Sequence, residues 1–350
     1  MTIKKRIQAI VELGNILQDY LLDKATEEYS DLLNYAISRA YAENGWFNES
    51  NVKQMLLNVA QSLNEKKLNL WIENYSIPNE NHPPKKIALI MAGNIPLVGF
   101  HDFLCVFICG NISMIKPSKD DTVLIKTLLK ILIDIDAEAN KLIEWVDGRL
   151  SGMDAVIATG SNNTARYFEY YFSKVPNIIR KNRHSVAILN GKETQEELEK
   201  LGHDIFTYFG LGCRSVSKLY LPHDFNLDRL FEAFVGFGEI INNKKYANNY
   251  EYNRAIYLLG KEPFLDNNIV MIKESKELSS PVAVIHYERY HDLSNLLEEL
   301  KALKESIQVI SSNSNSAEFI GLGQCQTPNL NDYADNVDTL KFILNLSKKT

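Results

Sequence analysis

The segment FGLGCRSVS, Phe209 to Ser217, gathers the most pointed chemistry in the chain. Gly210, Leu211 and Gly212 bring Cys213 out on a flexible turn, and glycines let a substrate approach the backbone closely. A thiolate is the reactive form of cysteine, and a neighbouring guanidinium such as that of Arg214 can lower a thiol pKa. The same residues also suit a small buried side chain in a turn, so the segment alone leaves two readings. A second segment, AGNIPLVG, places Asn94 just after a short apolar run. Its side-chain amide can donate to a developing oxyanion, or Asn94 is simply a turn residue. A third, ATGSNNTARYF, ends a strand in Thr159, Gly160 and Ser161 and opens a helix at once. Free backbone N–H groups at a helix start attract phosphate, and Ser161 also suits the N-cap.

The remaining reactive side chains are scattered. Seven histidines, at 82, 101, 184, 203, 223, 286 and 291, show no metal-ligand spacing such as HExxH, and no metal is expected. His184 either orients or deprotonates a thiol or packs at the start of a strand. Cys105 and Cys109 lie in the apolar run FLCVFICG and read as small buried hydrophobes. The Tyr- and Asn-rich stretch from Asn242 to Asn253 suits either a pocket lining or a polar interdomain surface.

These residues need rigid elements to hold them. From Lys86 onward short apolar runs alternate with helical patterns: KIALIMAG, HDFLCVFICG, NISMIKPS, DDTVLIKTLLKILIDI, LIEWVDG, DAVIATGS and NTARYFEYYFSK. Such alternation predicts parallel strands with crossover helices, a doubly wound sheet. Gly93, Asn94, Thr159 and Ser161 then fall at strand ends, where such sheets bind ligands. A second α/β pattern begins near His184, with a helix expected to run as far as Phe209 ahead of Cys213. Residues 1–80 are a helical lead, Ile3, Ile7, Ile10, Leu17 and Leu21 recurring at helical spacing. Pro83 and Pro84 close it, and the tail from Gly321 is polar and turn-rich.

Bulk composition narrows the class. The 350 residues are 45% hydrophobic and 23% charged, as in ordinary globular proteins. A net charge of −6 provides no field to attract nucleic acid. Gly93, Asn94, Pro96, His101, Asp102 and Asn111 interrupt the apolar stretch from Ile87 to Ile115, so no run reaches the roughly 20 apolar residues of a membrane span. Four cysteines are too few for a disulfide framework, and a reducing cytoplasm is expected.

Together the segments resemble the aldehyde dehydrogenase superfamily, and within it the acyl-CoA reductases of the LuxC type, from about Lys86 onward. The resemblance implies an aldehyde-dehydrogenase-like α/β fold of two doubly wound domains: 1–185 for the dinucleotide, with the helical lead 1–80, then 186–320 for the catalytic cysteine, then a tail, 321–350. GNIP matches the superfamily's W-N-x-P, which makes Asn94 the oxyanion donor, with glycine in place of tryptophan. KPSK, with Lys116, Ser118 and Lys119, matches the K-P-S-E that binds the adenosine ribose. A carboxylate there accepts from a free 2′-hydroxyl, whereas the Lys119 ammonium attracts a 2′-phosphate, which implies NADPH. Thr159, Gly160 and Ser161 match the T-G-S at the pyrophosphate, and Glu277, ahead of Pro281, matches the glutamate that holds the nicotinamide ribose. The segment RKNRHSVAIL puts Arg180 near the place of the glutamate that activates water in aldehyde oxidisers. Without that base an acyl-cysteine resists hydrolysis, which suits an acyl-CoA reductase.

The expectation is thus NADPH-dependent reduction of an acyl-CoA, a fatty one by resemblance, through a thioester on Cys213. A homodimer and a partner enzyme that takes the aldehyde are also implied. Two rival readings are reduction of an acyl phosphate and a non-reducing, acyl-carrying scaffold subunit.

Overall fold

The computed structural model describes residues 1–80, 83–314 and 318–346; His82 lies outside them. The chain divides into two compact units, Met1–Lys181 with Asn329–Thr350, and Asn182–Pro328. The first division falls after Lys181, where the expected boundary was 185, and the segment read as the tail, 321–350, is shared between the units.

The first unit opens with four helices, α1 (Ile3–Leu21), α2 (Glu27–Glu43), α3 (Glu49–Ser62) and α4 (Glu65–Ile72). Thr2, Thr26, Asn48 and Asn64 cap their N-termini by accepting a backbone N–H, which satisfies a donor the helix itself leaves unpaired. Arg6 of α1 is fully buried. Its Nε donates to the Ile108 carbonyl at 3.0 Å and its Nη2 to that of Pro78 at 3.1 Å. The helical lead is therefore fastened to the sheet layer rather than standing apart.

The α/β part follows as β1 (Lys86–Ile90), α5 (Phe100–Ile108), β2 (Ile112–Lys116), a 3-10 turn (Lys119–Asp121), α6 (Val123–Ile135), β3 (Ile143–Trp145), β4 (Ala155–Thr159), α7 (Asn162–Tyr171) and β5 (Asn177–Arg180). The strands pair in parallel in the order β3-β2-β1-β4-β5. Side chains alternate across a strand. Ile87 and Leu89 accordingly join the core of the helical lead, α5 and α6. Ala88, Val156 and Ala158 face Phe168 and Phe172 on the side of α7. Both faces are covered, as a parallel sheet requires. Cys105 and Cys109 are buried in α5 and at its end, and burial pushes the Cys109 thiol up to about 12.

The second unit runs β6 (His184–Ile188), α8 (Gln195–Phe206), β7 (Val216–Pro222), α9 (Asp228–Phe234), α10 (Lys244–Gly260), β8 (Leu265–Asp266), β9 (Met271–Glu274), β10 (Val284–Tyr290), α11 (Leu293–Ala302) and β11 (Ile307–Ser311). Its sheet has the order β11-β6-β7-β10-β9-β8, with only the β8–β9 pair antiparallel. α8 and α9 cover one face and α11 the other. The stretch from Asn242 to Asn253 proves to hold the N-cap, Asn243, and the first half of α10. It turns Tyr246, Tyr250 and Asn253 inward, where their polar tips reach the Ile269 carbonyl, Asp266 and the Val282 carbonyl.

Helix α8 stops at Phe206, short of the expected Phe209. Tyr208 and Phe209 have φ of 55° and 58°, in the left-handed region, at a cost of about 1–2 kcal/mol each. Their side chains are only 2% and 4% exposed, and burying such rings is worth about 1.5–3 kcal/mol apiece. Packing therefore outweighs the backbone preference, and the chain turns sharply before Cys213.

The tail read as turn-rich carries a last helix, α12 (Thr339–Leu346), whose Leu340, Ile343 and Leu346 join the core of the first unit. Ahead of it, Tyr333 accepts from the Trp71 indole at 2.9 Å, and the Leu330 carbonyl lies 2.9 Å from His101 Nε2. Its composition is polar, but its spacing of apolar residues is helical.

Candidate functional site

Three of the segments singled out by sequence meet at one edge of the first sheet. Gly93 and Asn94 follow β1, Lys116 to Lys119 follow β2, and Thr159 to Ser161 follow β4. These strands are neighbours, and their carboxyl ends form the edge at which doubly wound sheets bind ligands. Ser161 caps α7, its Oγ accepting from the Thr164 N–H at 3.3 Å. Lys116 Nζ donates to the Gly148 carbonyl at 3.0 Å, while Lys119 is exposed on the 3-10 turn.

The loops after β1 and β2 are in direct contact. A Cβ on Gly93 would lie 2.6 Å from Ser118 Oγ and 3.0 Å from Asp120 Cβ. The tryptophan of the superfamily motif therefore has no room here, because the turn occupies its place. Asp121 Oδ2 accepts from the Leu97 N–H at 2.6 Å, and Leu97 has φ of 55°. Asp121 is buried, its Oδ1 finds no hydrogen-bond partner, and burial raises its carboxyl to about 7 against the lowering pull of the Leu97 amide. Sequence reading passed over Asp121; the doubled acid after KPSK was its one signal.

Arg180 ends β5 in register with Thr159. Its Nη1 lies 2.5 Å from Asp102 Oδ2 and its Nη2 donates to Thr339 Oγ1 at 3.0 Å. Burial works against the guanidinium's charge, but the Asp102 carboxylate outweighs it and raises the pKa. A fixed cation thus stands at the end of the strand where the resemblance places a water-activating carboxylate.

In the second unit, Cys213 sits half-buried on the turn that leads into β7. Ser185 Oγ of β6 donates to its carbonyl at 2.9 Å. Arg214 Nε donates to the Cys325 carbonyl at 2.5 Å, and Gln326 Nε2 to Ser215 Oγ at 3.2 Å. The Cys325 N–H in turn donates to Asp204 Oδ1 at 2.9 Å, and the Gly323 N–H to Asp204 Oδ2 at 2.7 Å. The Cys213 turn is therefore braced by Ser185, Arg214 and the chain around Cys325, none of which the sequence pattern marked apart from Arg214. The Cys325 thiol is buried and pushed up to about 12, which leaves it un-ionised and unsuited to attack. His184 starts β6, and burial lowers its pKa, so its ring is neutral around neutral pH.

Glu277 is exposed on the loop between β9 and β10. His286 Nδ1 lies 3.2 Å from its carbonyl, and Ser217 Oγ of β7 donates to the next carbonyl, that of Leu278, at 2.8 Å. The Glu277 loop and the Cys213 turn thus hang from the same strand.

Residues 4–233 match the family described as acyl-CoA reductase (LuxC). The chain belongs to the LuxC acyl-CoA reductase family. Among relatives, the long-chain acyl-protein thioester reductase 2 of Photobacterium leiognathi is 24% identical over 168 residues, covering 44% of the chain and 35% of the relative. The aligned region is thus about a third of that relative's length. Among solved structures, aldehyde dehydrogenase 21 of Physcomitrella patens, in complex with succinate, superposes with a TM-score of 0.65 at 11% identity, covering 98% of this chain and 88% of that one. A protein of Burkholderia cenocepacia described as a putative aldehyde dehydrogenase gives 0.63 at 14%, covering 91% and 76%. An NADP-dependent enzyme of E. coli gives 0.60 at 13%, covering 91% and 79%. The chain has the aldehyde-dehydrogenase fold, as its motifs implied. No helix among the described residues is long and apolar enough to cross a membrane, and none of their His, Cys, Asp and Glu side chains group to hold a metal.

Proposed function

We propose that this chain reduces a fatty acyl-CoA to the aldehyde with NADPH, through a thioester on Cys213. The observation that carries the reading is the meeting of GNIP, KPSK and TGS at the carboxyl ends of three neighbouring strands. Family membership supports acyl reduction, and the fold supports a nicotinamide dinucleotide.

The donor set fits that cofactor. The start of α7 at Gly160 and Ser161 offers backbone N–H groups to a pyrophosphate. Lys116 and Ser118 line the turn after β2, and the exposed Lys119 ammonium suits a 2′-phosphate. Glu277 is the proposed acceptor for the nicotinamide ribose. When bound, NADPH supplies the hydride.

Cys213 thiolate attacks the acyl-CoA carbonyl, and a carbon–sulfur bond forms as the carbonyl oxygen becomes negative. The Asn94 amide and the Cys213 backbone N–H stabilise that oxyanion. The oxyanion collapses, the bond to CoA breaks, and CoA leaves as its thiolate. Once the acyl carbon has received hydride, the second tetrahedral species collapses to aldehyde and frees the Cys213 thiolate. Arg180, fixed to Asp102, cannot act as a base toward water, so the acyl-cysteine persists until it is reduced.

Oxidation of NADPH, followed by its absorbance over a panel of acyl-CoAs, tests the reading with wild type beside Cys213→Ala. Turnover should depend on chain length and fall below detection in the variant. Full activity in Cys213→Ala ends the thioester mechanism, and turnover with acyl phosphates alone replaces the substrate.

A further inference from the structure

The loop that carries Asn94 is held from one side by the turn that carries the cofactor residues. Asp121, the last residue of that 3-10 turn, accepts the Leu97 N–H at 2.6 Å in a buried position. Ser118 packs where a Gly93 side chain would be. The turn is itself tied down. Ser118 Oγ accepts from the Asp120 N–H at 3.2 Å, Thr122 Oγ1 donates to the Ser118 carbonyl at 2.7 Å, and Asn44 Nδ2 donates to the Asp120 carbonyl at 3.4 Å.

Leu97 needs such a grip, because a branched apolar residue avoids φ of 55°. A buried carboxyl group supplies it at a cost, since one oxygen is left without a partner. Strained backbone held by its surroundings is a device of functional sites, and the strain here lies three residues from Asn94.

We propose that Asp121 is a positioning residue for the oxyanion donor. By holding the Leu97 amide it fixes the Asn94 loop against the Lys116–Lys119 turn, so that the amide is set before the acyl group arrives. This rests on the role proposed above for Asn94. A small displacement of a catalytic donor can cost about 100-fold in rate.

The test uses the full chain without cofactor and p-nitrophenyl acetate as acyl donor, reading nitrophenolate release as Cys213 is acylated. Alkylation by iodoacetamide, which forms no oxyanion, is the control. Asp121→Leu should slow acylation by about 10- to 100-fold and leave alkylation unchanged. Asp121→Asn, which still accepts from Leu97, should restore acylation to near the wild-type rate. In an Asn94→Ala background, Asp121→Leu should have no further effect. If Asp121→Leu does not fold, Asp121→Ser, too short to reach Leu97, takes its place.

Wild-type acylation in the Leu or Ser variant overturns the inference. So does a parallel fall in alkylation, or a loss that simply multiplies with that of Asn94→Ala. If Asn94→Ala itself acylates normally, the role of Asn94 fails and the inference fails with it. A defect in Asn94→Ala without one at Asp121 removes the inference alone.

Discussion

Lys119 and Asp121 are two residues apart on one turn, and they face different physics. Lys119 is exposed, so its charge acts on what comes to the turn. A hydrogen bond to a charged group is worth about 1.5–3 kcal/mol, and each 1.4 kcal/mol is about tenfold in affinity. Lys119→Glu should therefore lower the preference for NADPH over NADH by about 10- to 100-fold in kcat/KM, and an unchanged ratio would remove Lys119 from cofactor choice. Asp121 acts on the fold itself. Burial raises its carboxyl from 3.8 to about 7, so the folded state holds a proton that the unfolded state has given up. The stabilisation from this proton is complete below about pH 4, is lost as pH rises through the interval to about 7, and stays lost above it. The full span is of order 4 kcal/mol, at about 1.4 kcal/mol per unit. Asp121→Asn lacks the slope, so its stability relative to wild type should climb between pH 4 and 7 and then level off. Denaturant midpoints across that range check this; a constant difference would mean that Asp121 is not the titrating group. Cys213 and Lys119 stood out from the sequence because their residue types announce chemistry. Asp121 did not, because an acid in a polar turn reads as solvated until its burial is seen.

At the level of elements, β5 and α5 are joined through Arg180 and Asp102, and Thr339 adds a third hold on the guanidinium. The pair is buried, with Asp102 Oδ1 and Arg180 Nε lacking partners. Removing one member of a buried pair typically costs about 3–5 kcal/mol, whereas replacing both with apolar groups costs much less. Arg180→Met should destabilise the chain by that amount, and Arg180→Met with Asp102→Leu by less than the single change. Chemical denaturation of the two variants decides it, and a double variant worse than the single would contradict the account. Strands and helices were largely readable here, since β1, β2 and β4 are apolar runs bounded by turns and α6 is strongly periodic. The end of α8 was not. Nothing local in Tyr208 and Phe209 signals a left-handed turn, and only the burial of both rings selects it.

At the level of the molecule, the first unit takes residues from both sides of the second, Met1–Lys181 and Asn329–Thr350. Sequence could suggest a division near 185, where the pattern restarts, but it could not reveal the return. That depends on contacts such as Tyr333 with Trp71, across most of the chain length. Truncation after Pro328 would expose the sites of Leu340, Ile343 and Leu346, each buried in the first unit's core, and each worth about 1.5–3 kcal/mol. The truncated protein should be cut by protease within Met1–Lys181 faster than within Asn182–Pro328, and equal resistance of both would show that α12 is dispensable. The return also sets an order of events during synthesis. Every residue of the second unit leaves the ribosome before the last helix of the first, so the second can close while the first still lacks part of its interior. For that interval the apolar site awaiting α12 is open to whatever meets the nascent chain.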